Sequence, residues 1–402
     1  HQPSNWAWDE KRQQYYWHRF YAEQPDLNFD NPDVREAMKD VIRFWLDKGL
    51  DGFRADAIPY LFEREGTSCE NLPETHVYLR ELREMIDEEY PGRVTILLGE
   101  VNMWPEDVRP YFGNKDEPEL DLNFHFPVMP RIFKALKMQE AGPIIKIMER
   151  TPPIPEHAQW VTFLRNHDEL TLEMVTEEDR QWMWEQYAPD PRMRLNLGIR
   201  RRLAPLLDND RRKIELANSI LFTLPGSPII YYGDEIGMGD NIWLPDRHGV
   251  RTPMQWDSTP SAGFSDADPD KFYNPIVDSS EYGPSAVNVQ DQRRDPTSFL
   301  WTMRHLINVR KVHPALGRGR HRFLKVENPH ILAIVRELPS ETVLAVHNLS
   351  EEPQSIELDL SEFAGCRPLE ILSNTLYPEI ANGHFRLDLP PFAYRWFNVN
   401  GH

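Results

Sequence analysis

The sequence contains little cysteine, no long apolar run, and too few basic residues to balance its acidic ones. Two cysteines in 402 residues, Cys69 and Cys366, cannot form a disulfide framework, so we expect a reducing, cytoplasmic location. No segment has the roughly 18 consecutive apolar residues of a transmembrane helix. The 45 basic and 64 acidic residues give a net charge of −19, which argues against nucleic acid or an anionic membrane as partner.

Familiar cofactor motifs are also missing. The 14 histidines show no His-x-x-x-His spacing around an acid, and no glycine-rich phosphate loop or dinucleotide fingerprint occurs. We therefore predict no organic cofactor. Apolar residues at 40% and aromatic residues at 11% are enough for a real core, and the chain length favours one large domain plus a smaller one.

Most of the chain alternates between strand-like and helix-like patterns, which indicates a parallel α/β architecture, either a doubly wound sheet or a closed barrel. The predicted strands cover 52–57, 94–100, 120–126, 160–166 and 227–235. Residues 239–298 have no sustained period, and a long insertion of this kind is more often functional than not. After Gly317, short alternating runs predict a small antiparallel β-domain.

Ionisable residues follow several of these strands. Arg54 and Asp56 interrupt the apolar run "DGFRADAI", Glu100 ends the next strand, and His167 and Asp168 follow the fourth. Any one of these acids could be a buried carboxylate paired with an arginine. Three strands that each bring a carboxylate to one rim are more typical of an active site. Two carboxylates about 5 Å apart suit a retaining glycosidase, in which Arg54 would keep Asp56 ionised.

Several segments carry a family resemblance. "DGFRADA", "LLGEVN" and "FLRNHDE" resemble signature segments of the α-amylase superfamily, glycoside hydrolase family 13. "GSPIIYYGDEIGMGD" and "RTPMQWD" resemble its oligo-1,6-glucosidase-like branch, and "QPDLNFDNP" and "FLRNHDELTLEMV" resemble members that interconvert maltose and trehalose. The resemblance implies a TIM (β/α)8 barrel, of which this chain supplies about the last five strands, followed by an antiparallel β-domain.

The resemblance also implies a domain organisation. Residues 1–25 would be the tail of an inserted domain B, and residues 26–317 would be strands four to eight of the catalytic barrel. Residues 318–402 would form a C-terminal β-sandwich.

Residue roles follow by position from the same resemblance. Asp56 would be the nucleophile and Glu100 the general acid/base. Asp168 would bind the 2- and 3-hydroxyls of the glucosyl ring. The further substrate-binding residues would be Arg54, His167, Asn102 and Arg294, although a surface charge explains Arg294 equally well.

One set of oxygen ligands is a candidate for a calcium ion. Asp26, Glu63 and the backbone of Tyr60 and Leu61 offer the carboxylates and carbonyls that this hard cation prefers. A solvated acidic loop is the alternative from spacing alone. Resemblance to calcium-containing relatives favours the metal, in a structural role.

The predicted reaction is the isomerisation of maltose to trehalose through a covalent glucosyl-Asp56 intermediate, with minor hydrolysis to glucose. An α-glucosidase or oligo-1,6-glucosidase acting on short α-glucosides is the nearest alternative. A non-catalytic sugar-binding barrel protein is another, but such a protein would be expected to have lost a carboxylate, and all three stand here. The partner is then a small disaccharide, and a homo-oligomer remains open.

Overall fold

The computed structural model describes residues 4–400, which fall into two compact units. Unit 1 contains the described residues up to Phe124 together with Pro152–Trp160, and unit 2 contains His125–Thr151 and the described residues from Val161 onwards. Within residues 4–400, no helix is long and apolar enough to cross a membrane.

Unit 1 alternates parallel strands with helices. Its elements are β1 (Trp6–Asp9), β2 (Gln14–Trp17), α1 (Pro32–Asp47), β3 (Gly52–Ala55), α2 (Pro73–Glu89), β4 (Ile96–Gly99), α3 (Pro105–Val108), β5 (Leu122–Phe124) and the start of β6 (Gln159–Phe163). β1 and β2 form an antiparallel hairpin, whereas β3 pairs in parallel with β4, and β4 with β5. Gln159 begins β6 and donates its backbone N–H to the carbonyl of Asp121, just before β5.

The start of α1 and the tight approach of β3 to β4 follow from single residues. The side chain of Asn31 accepts a hydrogen bond from the backbone N–H of Asp33, and Pro32 fills the first turn, as the sequence predicts. A Cβ atom on Gly52 would lie 2.2 Å from the carbonyl oxygen of Ile96. Only glycine therefore permits this approach of the two strands.

The barrel part of unit 2 continues the alternation. Its elements are α4 (Val128–Met138), α5 (Gly142–Arg150), β7 (Leu170–Thr171), α6 (Glu177–Tyr187), β8 (Arg194–Leu195), β9 (Gly198–Ile199), α7 (Leu203–Leu206), α8 (Arg211–Thr223), β10 (Ser227–Ile229), α9 (Val289–Arg294), α10 (Phe299–Val312) and α11 (Pro314–Arg318). The end of β6 pairs in parallel with β10, and β7, β8 and β9 form a small antiparallel sheet. Helix α8 is buried along most of its length.

The C-terminal part of unit 2 is antiparallel, as the sequence predicts. Its strands are β11 (Arg320–Phe323), β12 (Ile331–Leu338), β13 (Glu341–Asn348), β14 (Gln354–Asp359), β15 (Leu369–Glu370), β16 (Thr375–Leu376), β17 (His384–Leu389) and β18 (Tyr394–Asn398). One sheet has the order β11-β12-β13-β18-β15-β16, and β14 pairs with β17 in a second. Residues of both sheets share one apolar core, which includes Ile331, Val346, Leu358, Leu387 and Phe397.

Each of the five predicted parallel strands is present and shorter than predicted, the fifth most of all. It ends at Ile229, and Asp234–Ile236 forms a 3-10 turn where the sequence predicts strand. Gly233, with φ of 87°, reverses the backbone just before that turn. The predicted limits of the three domains stay predictions, and residues 1–3 and 401–402 of those ranges lie outside the described residues.

A buried histidine joins α8 to the C-terminal sheet within unit 2. His347 is fully buried, with Nε2 3.0 Å from Ser219 Oγ and Nδ1 3.3 Å from the carbonyl oxygen of Leu332. Trp396 Nε1 donates to the same Ser219 hydroxyl at 2.9 Å. Burial lowers the pKa of His347 to about 4, because the charged imidazolium would lose its hydration.

This histidine should make the fold acid-sensitive. In the unfolded chain an ordinary histidine binds its proton below about pH 6.5, whereas His347 stays neutral in the fold. Its contribution is therefore present above pH 6.5 and is lost as the pH falls towards 4, by up to about 3 kcal/mol. Urea unfolding between pH 7.5 and 4.5 measures this loss. We expect His347→Gln to flatten the pH dependence and the exposed control His384→Gln to leave it unchanged; equal slopes in both variants would contradict the assignment.

Candidate active site

Arg54, Asp56 and Glu100 form one cluster in unit 1. Arg54 Nη1 lies 3.1 Å from Asp56 Oδ1, and Arg54 Nη2 lies 2.6 Å from Glu100 Oε2. The Asp56 side chain is 73% exposed and that of Glu100 is 18% exposed. The guanidinium of Arg54 thus contacts two carboxylates, one exposed and one mostly buried. The sequence predicts only its contact with Asp56.

The strand register places these side chains together. Arg54 lies opposite Leu98 and Ala55 opposite Gly99, and the backbone N–H of Glu100 donates to the carbonyl of Ala55 at 3.0 Å. Glu100 therefore continues the ladder one step beyond the strand ends, beside Asp56. A Cβ on Gly99 would lie 2.3 Å from Asn123 Oδ1, so a side chain before this acid would require Asn123 and the side chains beside it to move.

The backbone directly after Asp56 is strained. Ala57 has φ of 48°, a left-handed conformation that is unusual for a residue with a Cβ, and the 3-10 turn Ile58–Tyr60 follows it. A strained residue of this kind persists only where surrounding contacts hold it in place. Such residues are found preferentially at functional sites. It ends β3 abruptly and leaves Asp56 at the exposed edge.

A second cluster surrounds Asp168 in unit 2. Asp168 Oδ1 lies 2.8 Å from Arg247 Nε and 2.7 Å from Arg251 Nη2. Its other oxygen, Oδ2, lies 3.3 Å from His167 Nε2. The carboxylate is thus held on one oxygen by two arginines and approached on the other by the imidazole.

Arg247 and Arg251 are functional candidates that the sequence reasoning missed. Arg251 also donates Nε to the carbonyl of His167 at 2.7 Å, and Arg247 contacts Glu169 at 2.9 Å. Both arginines lie in the aperiodic segment 239–298, and Arg251 begins "RTPMQWD". That motif was the available signal, but nothing in it identifies Asp168 as the partner.

Three further polar residues are Asn102 and Arg294, which the sequence assigns to substrate binding, and Asp234, near the end of the fifth predicted strand. Asn102 follows Glu100 by two residues in unit 1. Arg294 ends α9 with a side chain that is 71% exposed and 3.7 Å from Asp291 Oδ1, which favours the surface-charge alternative. Asp234 is buried against Arg202, and this burial raises the pKa of its carboxyl to about 7.

The candidate metal ligands Asp26 and Glu63 lie close together in unit 1. Burial, followed by the negative charge of Asp26, raises the pKa of Glu63 to about 7, and burial also raises the pKa of Asp26. Within residues 4–400, the buried Glu63 Oε1 has no hydrogen-bond partner. No group of three or more His, Cys, Asp or Glu side chains there could hold a metal, so a cation would depend on backbone carbonyls such as those of Tyr60 and Leu61.

Two models of known protein families match the sequence. The model of the alpha-amylase catalytic domain matches residues 1–189 and 199–319. The chain belongs to the alpha-amylase family. The C-terminal domain of maltogenic amylase matches residues 321–396, so both parts of the chain have counterparts in amylases.

Similar proteins of known name cover nearly the whole chain. Trehalose synthase/amylase TreS of Mycobacterium tuberculosis (strain ATCC 25618 / H37Rv) is 55% identical over 404 residues, which are 99% of this chain and 67% of that protein. Trehalose synthase of Pimelobacter sp. (strain R48) is 53% identical over 409 residues, 99% of this chain and 71% of that protein.

The crystal structure of alpha-amylase from H. orenii superposes with a TM-score of 0.73 at 22% identity, covering 98% of this chain and 70% of that one. This likeness confirms the predicted fold class, a TIM (β/α)8 barrel with a C-terminal β-domain.

Proposed function

We propose that this alpha-amylase family member isomerises maltose to trehalose by transferring a glucosyl group within the bound disaccharide. The observation that carries the proposal is the identity of 53–55% with two proteins named trehalose synthase or trehalose synthase/amylase, over nearly the whole chain. The cluster of Arg54, Asp56 and Glu100 supports it, because a retaining transfer needs an ionised nucleophile beside an acid/base.

In the first proposed step Asp56 attacks the anomeric carbon of the non-reducing glucosyl unit. Glu100 gives its proton to the glycosidic oxygen, the C–O bond breaks, and free glucose is left opposite a glucosyl ester. Arg54 stabilises the carboxylate of Asp56 before the attack. Its contact with Glu100 must loosen as that acid is protonated for the next turnover.

In the second proposed step the freed glucose is the acceptor, and it reacts through its anomeric hydroxyl instead of the oxygen of the original linkage. Glu100, now a carboxylate, removes the proton of the anomeric hydroxyl, whose oxygen attacks the anomeric carbon of the glucosyl ester, so that the bond to Asp56 breaks and its carboxylate is released. The two inversions retain the α configuration at the transferred carbon, and attack by the α anomer of the acceptor glucose makes the linkage α,α-1,1. Glucose that stays bound competes with water at a high effective concentration, which keeps hydrolysis minor.

Asp168 and His167 have a proposed binding role in the same reaction. A carboxylate held on Oδ1 by Arg247 and Arg251 is fixed in orientation, and Oδ2 can accept hydrogen bonds from sugar hydroxyls. We assign Asp168 to the 2- and 3-hydroxyls of the glucosyl unit and His167 to a neighbouring hydroxyl. Asn102 is assigned to the acceptor glucose.

Incubation of the protein with maltose tests the function. We expect trehalose as the main product and glucose as the minor one, because the leaving glucose is the acceptor. Isotope-labelled glucose added to the reaction should enter trehalose only to a small extent. Glucose without trehalose would show an α-glucosidase instead, and extensive labelling would rule out transfer within one bound disaccharide.

We also propose that Asp26, Glu63 and the carbonyls of Tyr60 and Leu61 hold a structural calcium ion. Two adjacent carboxylates of raised pKa and a buried oxygen without a hydrogen-bond partner fit a cation, which would remove their mutual repulsion. A bound calcium would tie the segment around Asp26 to the turn after β3 and would supply no chemistry to the reaction.

Removal of the metal should destabilise the protein. We expect chelation to lower the melting temperature by several degrees, because a cation bound only by the folded state stabilises it. Glu63→Gln should remove this sensitivity, whereas the exposed neighbour Glu65→Gln should keep it. The same melting curve for wild-type protein with chelator and with added calcium would rule the site out.

Two further proposals concern the substrate of the enzyme and its cellular location. The substrate is a small sugar, as expected for the family, and maltose and trehalose are the specific candidates. A cytoplasmic location is supported by Cys69 and Cys366, which are both free. A homo-oligomer stays a prediction, which sedimentation analysis would decide.

A further inference from the structure

A cavity of about 440 Å³ lies in unit 1 between the first turns of α2 and the loop from Pro110 to Glu119. This volume is within the range of small-molecule sites. Its polar lining residues are Asn71, His76, Arg80, Asn114, Glu117 and Glu119, and the cluster of Arg54, Asp56 and Glu100 contributes none of its lining.

A buried ionic group forms the wall of this cavity. Glu119 is only 2% exposed, with Oε2 2.7 Å from His76 Nδ1 and Oε1 2.8 Å from Arg80 Nη1. The ring of His76 packs 4.6 Å from that of Tyr111. Both carboxylate oxygens are therefore used, while Arg80 keeps further N–H donors and His76 keeps Nε2 for a ligand.

Within residues 4–400, the rim of the cavity contains a polar atom without a hydrogen-bond partner, Asn71 Oδ1, which faces a ligand only when its side chain turns towards the cavity. The backbone N–H of Asn71 donates to the carbonyl of Pro59 at 2.9 Å, but within the described residues the buried Asn71 Oδ1 has no partner. On the opposite rim, Asn114 Oδ1 accepts from the backbone N–H groups of Asp116 and Glu117. A Cβ on Gly113 would lie 2.1 Å from the Glu117 carbonyl oxygen, so this loop is tightly folded.

The charge balance decides which ligand fits. An anion would have to compete with Glu119 for Arg80 and His76 and would also meet the carboxylate of Glu117, whereas a cation bound by Glu117 would meet the charge of Arg80. A neutral molecule whose hydroxyls both donate and accept can accept from Arg80 and donate to Glu117 without separating any charge pair, and Asn71 Oδ1 can join once its side chain turns towards the cavity.

We propose that this cavity is an accessory binding site for a neutral polyhydroxylated molecule, a mono- or disaccharide. The site is separate from the proposed reaction, because its recognition depends only on residues of α2 and the Pro110–Glu119 loop and on Asn71. It would respond to sugar even if the chemistry at Asp56 were different.

Chemical protection of His76 tests the site directly, with D-glucose and inorganic phosphate as probes. We expect glucose to slow carbethoxylation of His76 by diethyl pyrocarbonate, measured on the peptide that contains it, and phosphate to have no effect. Arg80→Met and Asn71→Gly should each raise the glucose concentration for half-protection about tenfold, since each loses a ligand hydrogen bond. Asn71→Gly keeps the left-handed backbone of residue 71 and does not touch Glu119, so it remains informative if Arg80→Met fails to fold.

The neighbouring exposed residue gives the control, because Lys115→Ala should protect as the wild type does. Asp56→Asn should also leave protection of His76 unchanged, which separates this site from the reaction. Protection by phosphate but not by glucose would overturn the ligand class. No protection by glucose, or equal half-protection in wild type, Arg80→Met and Asn71→Gly, would overturn the site itself.

Discussion

Asp56→Asn should lose nearly all activity on maltose, with kcat lower by a factor on the order of 10⁴ or more. The amide cannot attack the anomeric carbon, so the covalent step has no nucleophile. The substitution keeps the size of the side chain and its exposed position at the end of β3. We therefore expect KM and the melting temperature to change little, and the loss to lie in kcat.

A trapping experiment identifies the nucleophile independently of that loss. A 5-fluoro glucosyl donor with a good leaving group should leave a glucosyl adduct on the peptide that contains Asp56, because the fluorine slows both steps and the leaving group speeds only the first. Asp51→Asn, at the exposed residue just before β3, is the matched control and should keep wild-type activity and the adduct. An adduct on the peptide of Glu100 or Asp168 would show that the roles have been assigned wrongly.

The clearest predictions from sequence concern elements with a strong local signal. Helix α1 has a capping asparagine, a proline in its first turn and a regular apolar spacing, and it appears where these features place it. Strands β7 and β9 were not predicted, because two residues are too short to show an alternating pattern. The apolar run after Ser227 favours a strand to residue 235, but the strand ends at Ile229 and the backbone turns at Gly233, within the predicted range.

Some residues of the candidate site could be predicted from the sequence, and others could not. Asp56 and Glu100 could be located because each follows an apolar strand, and neighbouring parallel strands bring their carboxyl ends together. Arg251 could not be paired with Asp168 from the sequence, since the two are 83 residues apart and Arg251 lies in a segment without a period. Such a contact depends on the tertiary fold of that segment, not on local pattern.

Arg251→Met should lower kcat/KM by about ten- to a hundredfold, as expected for the loss of a hydrogen bond between charged groups. Arg251 holds Asp168 Oδ1 at 2.7 Å and also donates to the His167 carbonyl, so its loss frees both residues at once. Arg247 would remain as the second partner of the same oxygen, and the carboxylate could then rotate away from the orientation that Oδ2 needs. We expect Arg251→Lys to restore part of the activity through charge alone.

A double-mutant cycle decides whether Arg251 acts through Asp168. If its role is to position that carboxylate, Arg251→Met should add little to the much larger loss caused by Asp168→Asn, because the group to be positioned is already gone. The exposed Arg304→Met in α10 is the control and should leave kcat/KM unchanged in either background. Additive losses in the double variant would instead mean that Arg251 contacts the substrate itself or supports the fold, and a uniform fall in melting temperature would separate those two cases. Near-complete non-additivity at unchanged melting temperature is therefore the result that establishes the segment 239–298 as the support that orients Asp168.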